Sequence, residues 1–509
     1  MSKIIQKQNF QIVKEKLKKS GKKIILCHGV FDLVHPGHLT HFQEARSLGD
    51  VLVVSITAAE YVRKGPGRPY FDDQQRLEFL AAIESIDYVM LSEGYTVDDI
   101  IEAVEPAFYV KGQEYCKAED DITGMIDKEA ALVRAHGGDV YYTGGKVYSS
   151  TKLLNTAMTA LTDEVKEHMK QLANKYTFEN IKNLTDKIKG LKVLVIGDVI
   201  IDEYVFCSVQ GLMAKNVAYS AREKGREQYL GGVLAIARHI ADFADDVMVT
   251  SVIGAESPYN ALIEQMDGRI KVDFVLSTEF PTIVKQRFVS ENAKRDEVDK
   301  VFVINNIPTQ MQIDQKASNE FSKRLRTHLS EYDVVVLCDF GHGLINHEIA
   351  RIIEKDAKYL ATNCQTNSSN HGTNPITKYH RADVFSVDEK ELKLAFSDYS
   401  MQAEEELVKL AKHLKGSGFC TLGAEGAYSI DENCEIEKCP ALTLKAKDTI
   451  GAGDAFFSLA SLCAAVGAPW ELGAFMGNVA GALMVNVVGN KESLSKVNVM
   501  KYVSTLMNV

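Results

Sequence analysis

The feature that most constrains the fold is a turn motif close to the N-terminus, at residues 29–38, which reads GVFDLVHPGH. It follows the apolar segment 23–27, which is typical of a buried strand. After it, apolar residues recur at the three- to four-residue spacing of a helix, at Leu39, Phe42, Ala45 and Leu48. The segment therefore predicts a strand, a tight turn and a helix N-terminus, which together direct free backbone N–H groups at an anion.

Two histidines give this turn its predicted chemistry. His35 and His38 lie three residues apart across Pro36 and Gly37, so both can face one ligand. Proline suits the first turn of a helix, and glycine lets a ligand approach the backbone. A pair of histidines alone would more often be structural or bind a metal. Beside bare N–H groups, the pair instead favours a nucleoside triphosphate that loses pyrophosphate.

Length and composition exclude several classes of protein. With 509 residues the chain is too long for one ordinary core, so two or three domains are expected. The net charge is −11 and no basic block indicates nucleic acid as a partner. Nine scattered cysteines and an N-terminus without an apolar leader favour reduced thiols and a cytoplasmic protein. The most apolar later stretch, 452–466, contains Asp454 and is too short to span a membrane.

Alternating patterns predict the domain organisation. Strands are expected near 50–56, 88–91 and 107–110, with helices over 72–83 and 97–104 between them. This alternation favours a parallel sheet covered by helices on both faces, with ligands at the carboxyl ends of the strands. A polar, charged segment then forms a helical linker, a helix packed on the next domain, or a solvated tether. The predicted division is a first domain at 1–160, a linker at 161–190 and a second domain at 191–509.

The turn motif resembles the Gly-x-Phe-Asp-x-x-His-x-Gly-His signature of the cytidylyltransferase-like nucleotidyltransferases. Residues 148–154, which read YSSTKLL, resemble that family's second signature, a helix start that holds the triphosphate. The resemblance implies that His35 and His38 are catalytic and stabilise the α-phosphate as pyrophosphate leaves. It also implies nucleotide or phosphate contacts from Gly29, Phe31, Ser149, Ser150 and Thr151.

Further cations and a carboxylate complete the expected first site. Lys64 and Arg68 lie in a Gly/Pro-rich loop that either closes over the triphosphate or is a solvated surface loop. Lys111 and Gly112 resemble the same family's Val-Lys-Gly element beside the nucleotide. Asp32 either orients the acceptor phosphate through a metal ion or caps the turn.

A second strand and turn begin at 191–198, and a later helix start at 448–456 is suited to phosphoryl transfer. Asp198 and Asp202 can accept hydrogen bonds from sugar hydroxyls, and at Gly231 and Gly232 a ligand can approach bare backbone before a helix at 235–241. Residues 448–456 read DTIGAGDAF, in which small residues let consecutive N–H groups form an anion nest at a helix start. Asp454 can there take the proton of a hydroxyl that attacks a γ-phosphate.

This half resembles the ribokinase-like, PfkB-type carbohydrate kinases. The resemblance implies that Lys285 and Arg287 offer cations to a sugar phosphate, and that Asp388 and Glu391 organise magnesium. Residues 421–427, which read TLGAEGA, match the strand-turn-strand of the ATP site. The implied nucleotide and phosphate contacts are Thr421, Gly423, Gly426, Gly451, Ala452, Gly453 and Asn478.

Both halves together resemble the bifunctional heptose-7-phosphate kinase/heptose-1-phosphate adenylyltransferases of ADP-heptose synthesis, with the domain order reversed. Residues 231–235 read GGVLA where that family has Gly-Gly-Ala-Ala-Asn, and 363–367 read NCQTN in place of an Asp-Pro-Lys segment. Because unmatched buried hydroxyls are costly, such changes alter sugar preference. Two alternatives stay open: a CTP-dependent enzyme for a small polyol or acid phosphate, and a silent kinase-like module for binding or dimerisation.

The resemblance also implies the fold and the ligands. We expect an α/β chain of two doubly wound parallel-sheet domains, a Rossmann-like nucleotidyltransferase and a ribokinase-like kinase with a small β lid near 204–229. The expected ligands are a sugar or sugar phosphate, Mg²⁺, ATP and CTP or another nucleoside triphosphate. Because related kinases often dimerise through the lid, a homodimer or higher homo-oligomer is expected.

Overall fold

The chain forms two compact units, Met1–Thr162 with Met500–Val509, and Asp163–Val499. The computed structural model describes residues 3–62, 68–112, 126–144, 161–213, 218–292, 297–308, 310, 312–370, 372–398, 400, 402–443 and 446–507.

The first unit is built on a five-stranded parallel sheet. Its strands are β1 (Ile24–Gly29), β2 (Val51–Thr57), β3 (Tyr88–Ser92), β4 (Phe108–Gly112) and β5 (Asp139–Thr143). Its helices are α1 (Lys7–Lys19), α2 (Pro36–Ser47), α3 (Asp73–Ala81), α4 (Asp98–Val104) and α5 (Ile126–Ala135). The strand order β3-β2-β1-β4-β5 reverses direction at β1, so the crevice of the fold lies where β1 ends.

Side chains of one strand face alternate layers of helices. Along β1, Leu26 packs into one buried cluster, whereas Ile25 and Cys27 pack into another. Such a strand is buried on both faces, which explains its continuous apolar sequence. Helix α3 is shorter than expected because Asp72 is its N-cap, in a capping box with Gln75.

Two helices follow, α6 (Asp163–Lys175) and α7 (Phe178–Lys189), and both belong to the second unit. Their apolar residues are buried, at Val165, Met169 and Leu172 in α6 and at Ile181, Leu184 and Ile188 in α7. Lys175 and Tyr176 bind Glu471 at 2.7 and 2.6 Å. The polar segment after residue 162 therefore forms helices packed within the second unit. The alternative of a solvated tether was wrong.

The remaining strands, in chain order, form two sheets. They are β6 (Lys192–Gly197), β7 (Val199–Leu212), β8 (Tyr219–Gly232), β9 (Asp246–Gly254), β10 (Ile270–Ser277), β11 (Ile283–Asn292), β12 (Glu297–Asn306), β13 (Val334–Asp339), β14 (Tyr359–Cys364), β15 (Val384–Asp388), β16 (Ser417–Thr421), β17 (Ala427–Ile430) and β18 (Ile436–Cys439). The large sheet has the order β10-β9-β6-β13-β14-β15-β16-β17-β18 and is parallel as far as β16. The small sheet, β12-β11-β7-β8, is the expected lid, and it includes a second hairpin beyond 204–229.

Helices cover the large sheet. They are α8 (Val233–Ile240), α9 (Asn260–Ile263), α10 (Gln315–Leu329), α11 (His347–Asp356), α12 (Glu389–Phe396), α13 (Ala403–Leu414), α14 (Ala452–Ala465) and α15 (Trp470–Met484), followed by α16 (Lys496–Leu506). Helix α8 begins directly after Gly232, its N-cap, two residues earlier than expected. Helices α14 and α15 are buried along most of their length, which accounts for the apolar stretch near Asp454. Within the described parts of the chain, none of the helices combines the length and apolarity needed to cross a bilayer.

Candidate active sites

In the first unit, the two histidines meet where β1 ends. His35 is the N-cap of α2, and its ring stacks on that of His38 with 3.9 Å between centroids and 18° between planes. The backbone N–H of His35 also donates to Nδ1 of His38 at 3.4 Å. Burial lowers the pKa of His35, so its imidazole is neutral at neutral pH. A neutral imidazole at a helix N-terminus can donate a hydrogen bond to a phosphate.

An aromatic side chain holds this histidine pair in place. Phe31 has a left-handed backbone conformation, with φ of 47°, and its ring lies 5.3 Å from that of His38 and 5.1 Å from that of Phe42. A Cβ at Gly29 would lie 3.1 Å from the Phe31 ring. Gly29 and Phe31 therefore shape the turn that orients His38.

The carboxylate of Asp32 accepts hydrogen bonds from other residues of the chain. It accepts hydrogen bonds from the backbone N–H groups of Tyr70 and Phe71, at 2.7 and 3.0 Å, and from Arg68 at 3.2 Å. These contacts tie Asp32 to the segment at 68–71 rather than to its own turn, and both alternatives for Asp32 stay predictions. Arg68 is thereby fixed beside the turn, while Lys64 lies outside the described residues.

At the end of β4, Lys111 forms an ion pair of 2.8 Å with Glu129 and lies 4.7 Å from the Tyr109 ring centroid. Gly112 closes the same strand. The ammonium group of Lys111 is thus held by Glu129 and the Tyr109 ring. The second signature, with Ser149, Ser150 and Thr151, lies outside the described residues.

Sequence reasoning missed a buried arginine that supports the turn. Arg76 is 1% exposed, and its Nη1 donates to the carbonyl oxygens of Val30 and Thr57, each at 2.9 Å. It therefore ties the turn after β1 to the end of β2. A charged residue on a helix usually indicates a solvated face, so nothing in the local sequence singled out this residue.

In the second unit, a cavity of about 160 Å³ brings together many of the expected residues. It lies between the lid strands β7 and β11 and the start of α14. Expected residues that line it are Asp202, Gly232, Lys285, Arg287, Gly451, Gly453 and Asp454. Residues that sequence reasoning had not selected also line it, namely Ile200, Phe340, Gln365, Ile450 and Asn490.

The cavity floor is the start of α14. Gly451 is the N-cap with φ of 81°, and a Cβ there would lie 2.7 Å from Oδ1 of Asn490, so the position requires glycine. Ala452 begins the helix, and Asp454 lies in its first turn. Burial raises the pKa of Asp454 to about 6, although the Gln365 amide, which donates to Oδ1 at 2.8 Å, opposes the shift. A carboxylate with this pKa is ionised at neutral pH and can accept a proton.

Two of the expected substrate contacts pair with each other. Arg287 donates to Oδ1 of Asp202. The other oxygen of Asp202, Oδ2, accepts from Nδ2 of Asn490 at 2.8 Å. Lys285 lies 5.9 Å from the Phe340 ring centroid, and burial lowers the pKa of its ammonium. The pairing of Arg287 leaves Lys285 as a cavity cation that an anionic group can approach.

Gly231 and Gly232, before α8, are needed because neighbouring protein atoms leave no room for a side chain. A Cβ at Gly231 would lie 2.3 Å from Oδ2 of Asp202, and one at Gly232 would lie 2.4 Å from the carbonyl oxygen of Asp198. Asp198 is buried at 1% exposure, and burial followed by the charge of Asp339 raises its pKa to about 7. The backbone of His342 and the charges of Lys285 and Lys378 oppose this shift.

Several of the expected nucleotide contacts lie at the edge of the large sheet. Gly423 and Gly426 have φ of 60° and 106° in the turn after Thr421, and a Cβ at Gly426 would lie 2.1 Å from the carbonyl oxygen of Cys439. Asn478 donates to the carbonyl oxygens of Cys439 and Pro440 at 3.1 and 3.2 Å. These residues shape the hairpin and do not line the cavity beside Asp454.

The expected magnesium pair forms a reciprocal capping box. Oδ1 of Asp388 accepts from the Glu391 N–H at 2.7 Å, and Oε2 of Glu391 accepts from the Asp388 N–H at 2.9 Å. Burial and the charge of Asp388 raise the pKa of Glu391 to about 8. No group of three or more potential metal ligands converges in the described residues. Two neighbouring carboxylates nevertheless fit Mg²⁺, which binds few carboxylates and keeps phosphate and water ligands.

Comparison with known proteins matches each half of the chain to a family. The cytidylyltransferase-like family model matches residues 26–156, and the pfkB family carbohydrate kinase model matches residues 191–497. The Bifunctional protein HldE of Trichlorobacter lovleyi is 36% identical over 149 residues, which are 28% of each chain. The protein of the same name from Methylococcus capsulatus is 40% identical over 126 residues, 24% of this chain and 25% of that one. The matched region thus spans about a quarter of these relatives.

Among solved structures, phosphofructokinase-2 from Escherichia coli has a TM-score of 0.50 at 14% identity. The match covers 62% of this chain and 99% of that one, and it shows the shared fold. The expected α/β class, with a Rossmann-like first domain and a ribokinase-like second domain, is confirmed. The chain belongs to the pfkB family of carbohydrate kinases and joins to that kinase a cytidylyltransferase-like nucleotidyltransferase.

Proposed function

We propose that the protein is a bifunctional enzyme of nucleotide-sugar synthesis. Its second unit would phosphorylate a sugar or sugar phosphate with Mg-ATP, and its first unit would transfer a nucleotidyl group to a sugar 1-phosphate. The relatives named Bifunctional protein HldE and the two matched families support this pairing. The observation that carries the kinase assignment is Asp454 at the start of α14, in one cavity with Lys285 and Gly451.

In the kinase step, an acceptor hydroxyl oxygen attacks the γ-phosphorus of ATP, and the bond to the β-phosphate oxygen breaks. The hydroxyl proton passes to Asp454, and backbone N–H groups at the start of α14 stabilise the charge on the transferred group. Lys285 would attract an anionic acceptor. Asp388 and Glu391 would hold Mg²⁺, which neutralises charge on the phosphates.

In the nucleotidyl step, a phosphate oxygen of the sugar 1-phosphate attacks the α-phosphorus of a nucleoside triphosphate, and pyrophosphate leaves. His35, His38 and the N-terminal N–H groups of α2 would donate hydrogen bonds to the α-phosphate. No proton transfer is needed, because the acceptor is already an anion at neutral pH.

The exposed apolar side chains of the lid support self-association. Leu212, Tyr219, Phe302 and Ile304 are 66, 68, 48 and 45% exposed. These side chains lie at the tip of the β7–β8 hairpin and on the edge strand β12, and exposed apolar side chains on a sheet are typical of a protein interface. Light scattering of the full chain would show a homodimer or larger species; a monomer at micromolar concentration would contradict this part of the proposal.

A product screen tests the proposed function. The full chain is incubated with Mg-ATP and a panel of heptoses, hexoses, pentoses and their phosphates, and separately with ATP or CTP and sugar 1-phosphates. Mass spectrometry should detect a phosphorylated sugar in the first assay and a nucleotide sugar in the second. Transfer from CTP to a small polyol phosphate would instead support the cytidylyltransferase alternative, and no phosphorylated product would support a silent kinase-like module.

A further inference from the structure

The side chain of Gln365 reaches the proposed base from a fixed backbone. Gln365 directly follows β14, and its N–H donates to the carbonyl oxygen of Asp339 at 2.8 Å. Its own carbonyl oxygen accepts from Nδ2 of Asn370 and of Asn374, at 3.2 and 3.3 Å. From this anchored position its Nε2 donates to Oδ1 of Asp454 at 2.8 Å, and the residue lines the cavity.

The next residue makes a second link. The backbone N–H of Thr366 donates to Oε1 of Glu391 at 3.0 Å. Two adjacent residues therefore hold the base of the proposed phosphoryl transfer and a carboxylate of the proposed magnesium pair. Glu391 and Asp454 lie close enough that the charge of Asp454 disfavours ionisation of Glu391.

A hydrogen bond to one carboxylate oxygen leaves the other oxygen for the reaction. An amide donates without carrying charge, so it fixes the carboxylate without forming an ion pair that would weaken its basicity. The other charged or titratable groups that act on Asp454 lie on the lid, β13 and α12, and are Asp202, Lys285, Arg287, Cys338 and Glu391. None of these forms a hydrogen bond with Asp454 among the described residues.

We propose that Gln365 is a positioning residue that holds Oδ1 of Asp454, leaves Oδ2 to take the acceptor proton, and ties this base through Thr366 to Glu391. The proposal rests on the kinase activity proposed above. It makes the sequence NCQTN at 363–367 a functional adaptation of the kinase site.

The test compares variants that separate shape from hydrogen-bond donation. Gln365→Glu keeps the shape but replaces the donor by a carboxylate, whereas Gln365→Lys changes the shape but keeps a donor. In the full chain, Gln365→Glu should lower kcat of phosphorylation by about 10²-fold with little change in KM for ATP. Gln365→Lys should retain kcat within about tenfold and move the acidic limb of the pH profile to lower pH, because a cation favours the ionised base. Gln315→Glu, on the surface at the start of α10, is the matched control.

Equal kcat of phosphorylation in Gln365→Glu and wild type would overturn the proposal. A lower kcat in both Gln365→Glu and Gln365→Lys, with the acidic limb of the pH profile unshifted, would also overturn it. If Asp454→Asn loses phosphorylation while Gln365→Glu keeps it, only this inference is contradicted. If Asp454→Asn keeps phosphorylation, the proposed function itself is contradicted. A crystal structure with a non-hydrolysable ATP analogue gives a readout that needs no acceptor. The Gln365 amide should contact Asp454 there, and an amide turned away would overturn the proposal.

Discussion

The phenol of Tyr204 donates a hydrogen bond of 2.9 Å to the carboxylate of Asp448, and both side chains are buried. Tyr204 lies on lid strand β7, and Asp448 begins the segment that leads to Gly451. The same carboxylate accepts the N–H groups of Ile450 and Gly489, at 3.1 and 3.0 Å. The lid and the turn before α14 are therefore joined by a buried hydrogen bond.

Replacement of Tyr204 by phenylalanine should destabilise the second unit. The change removes one donor from a buried carboxylate and should lower the free energy of unfolding by about 1–3 kcal/mol. Urea unfolding of the full chain, followed by a probe in the second unit, measures the effect. Tyr219→Phe is the control, because Tyr219 lies on the same lid at 68% exposure. Equal stability of the two variants would contradict a role for the buried bond.

The buried carboxylate of Asp198 predicts a pH-dependent stability. Its pKa is raised from 3.8 to about 7, so the folded state binds its proton more tightly than the unfolded state. Its contribution to stability is therefore fully present below pH 3.8 and is lost as the pH rises to about 7. Asp198→Asn should be more stable than wild type at pH 8, with a difference that shrinks as the pH falls toward 4. A difference independent of pH would show that Asp198 titrates normally.

The proposed base predicts the acidic limb of the kinase pH profile. Asp454 must be ionised to accept a proton, and its pKa is raised to about 6. The value of kcat/KM, which reports the free enzyme, should therefore rise with pH through about 6 and level off above it. Steady-state phosphorylation across this range measures the limb. A flat profile through this region would argue that Asp454 takes no proton in the rate-limiting step.

Removal of His38 should slow nucleotidyl transfer selectively. If the ring stabilises charge at the α-phosphate, His38→Ala should lower kcat for pyrophosphate release by about 10²-fold or more. The exposed His136, at the end of α5, provides the control variant His136→Ala. Wild-type rates in His38→Ala would remove this ring from the mechanism.

Local sequence was informative where one short segment builds a site. The turn at 29–38 and the helix start at 451–454 both have the predicted geometry, because a strand end, small residues and a helix N-terminus follow one another along the chain. The buried layers of the first sheet were likewise encoded in continuous apolar strands.

Contacts between distant segments could not be read in the same way. Arg287 and Asp202 are 85 residues apart, and their pairing, which neutralises two expected substrate contacts, depends on the parallel pairing of β7 with β11. Asp32 contacts a segment 38 residues away, and Gln365 contacts Asp454 across 89 residues. Such partners are set by the order of strands in the sheet, which local patterns do not specify.

The central claim is that two independent active sites lie on this chain. The most direct measurement assays both products by mass spectrometry in full-length wild type, Asp454→Asn and His38→Ala. We expect Asp454→Asn to lose sugar phosphorylation and keep nucleotidyl transfer, and His38→Ala to show the reverse. Loss of both products in either variant, or unchanged phosphorylation by Asp454→Asn, would contradict the claim.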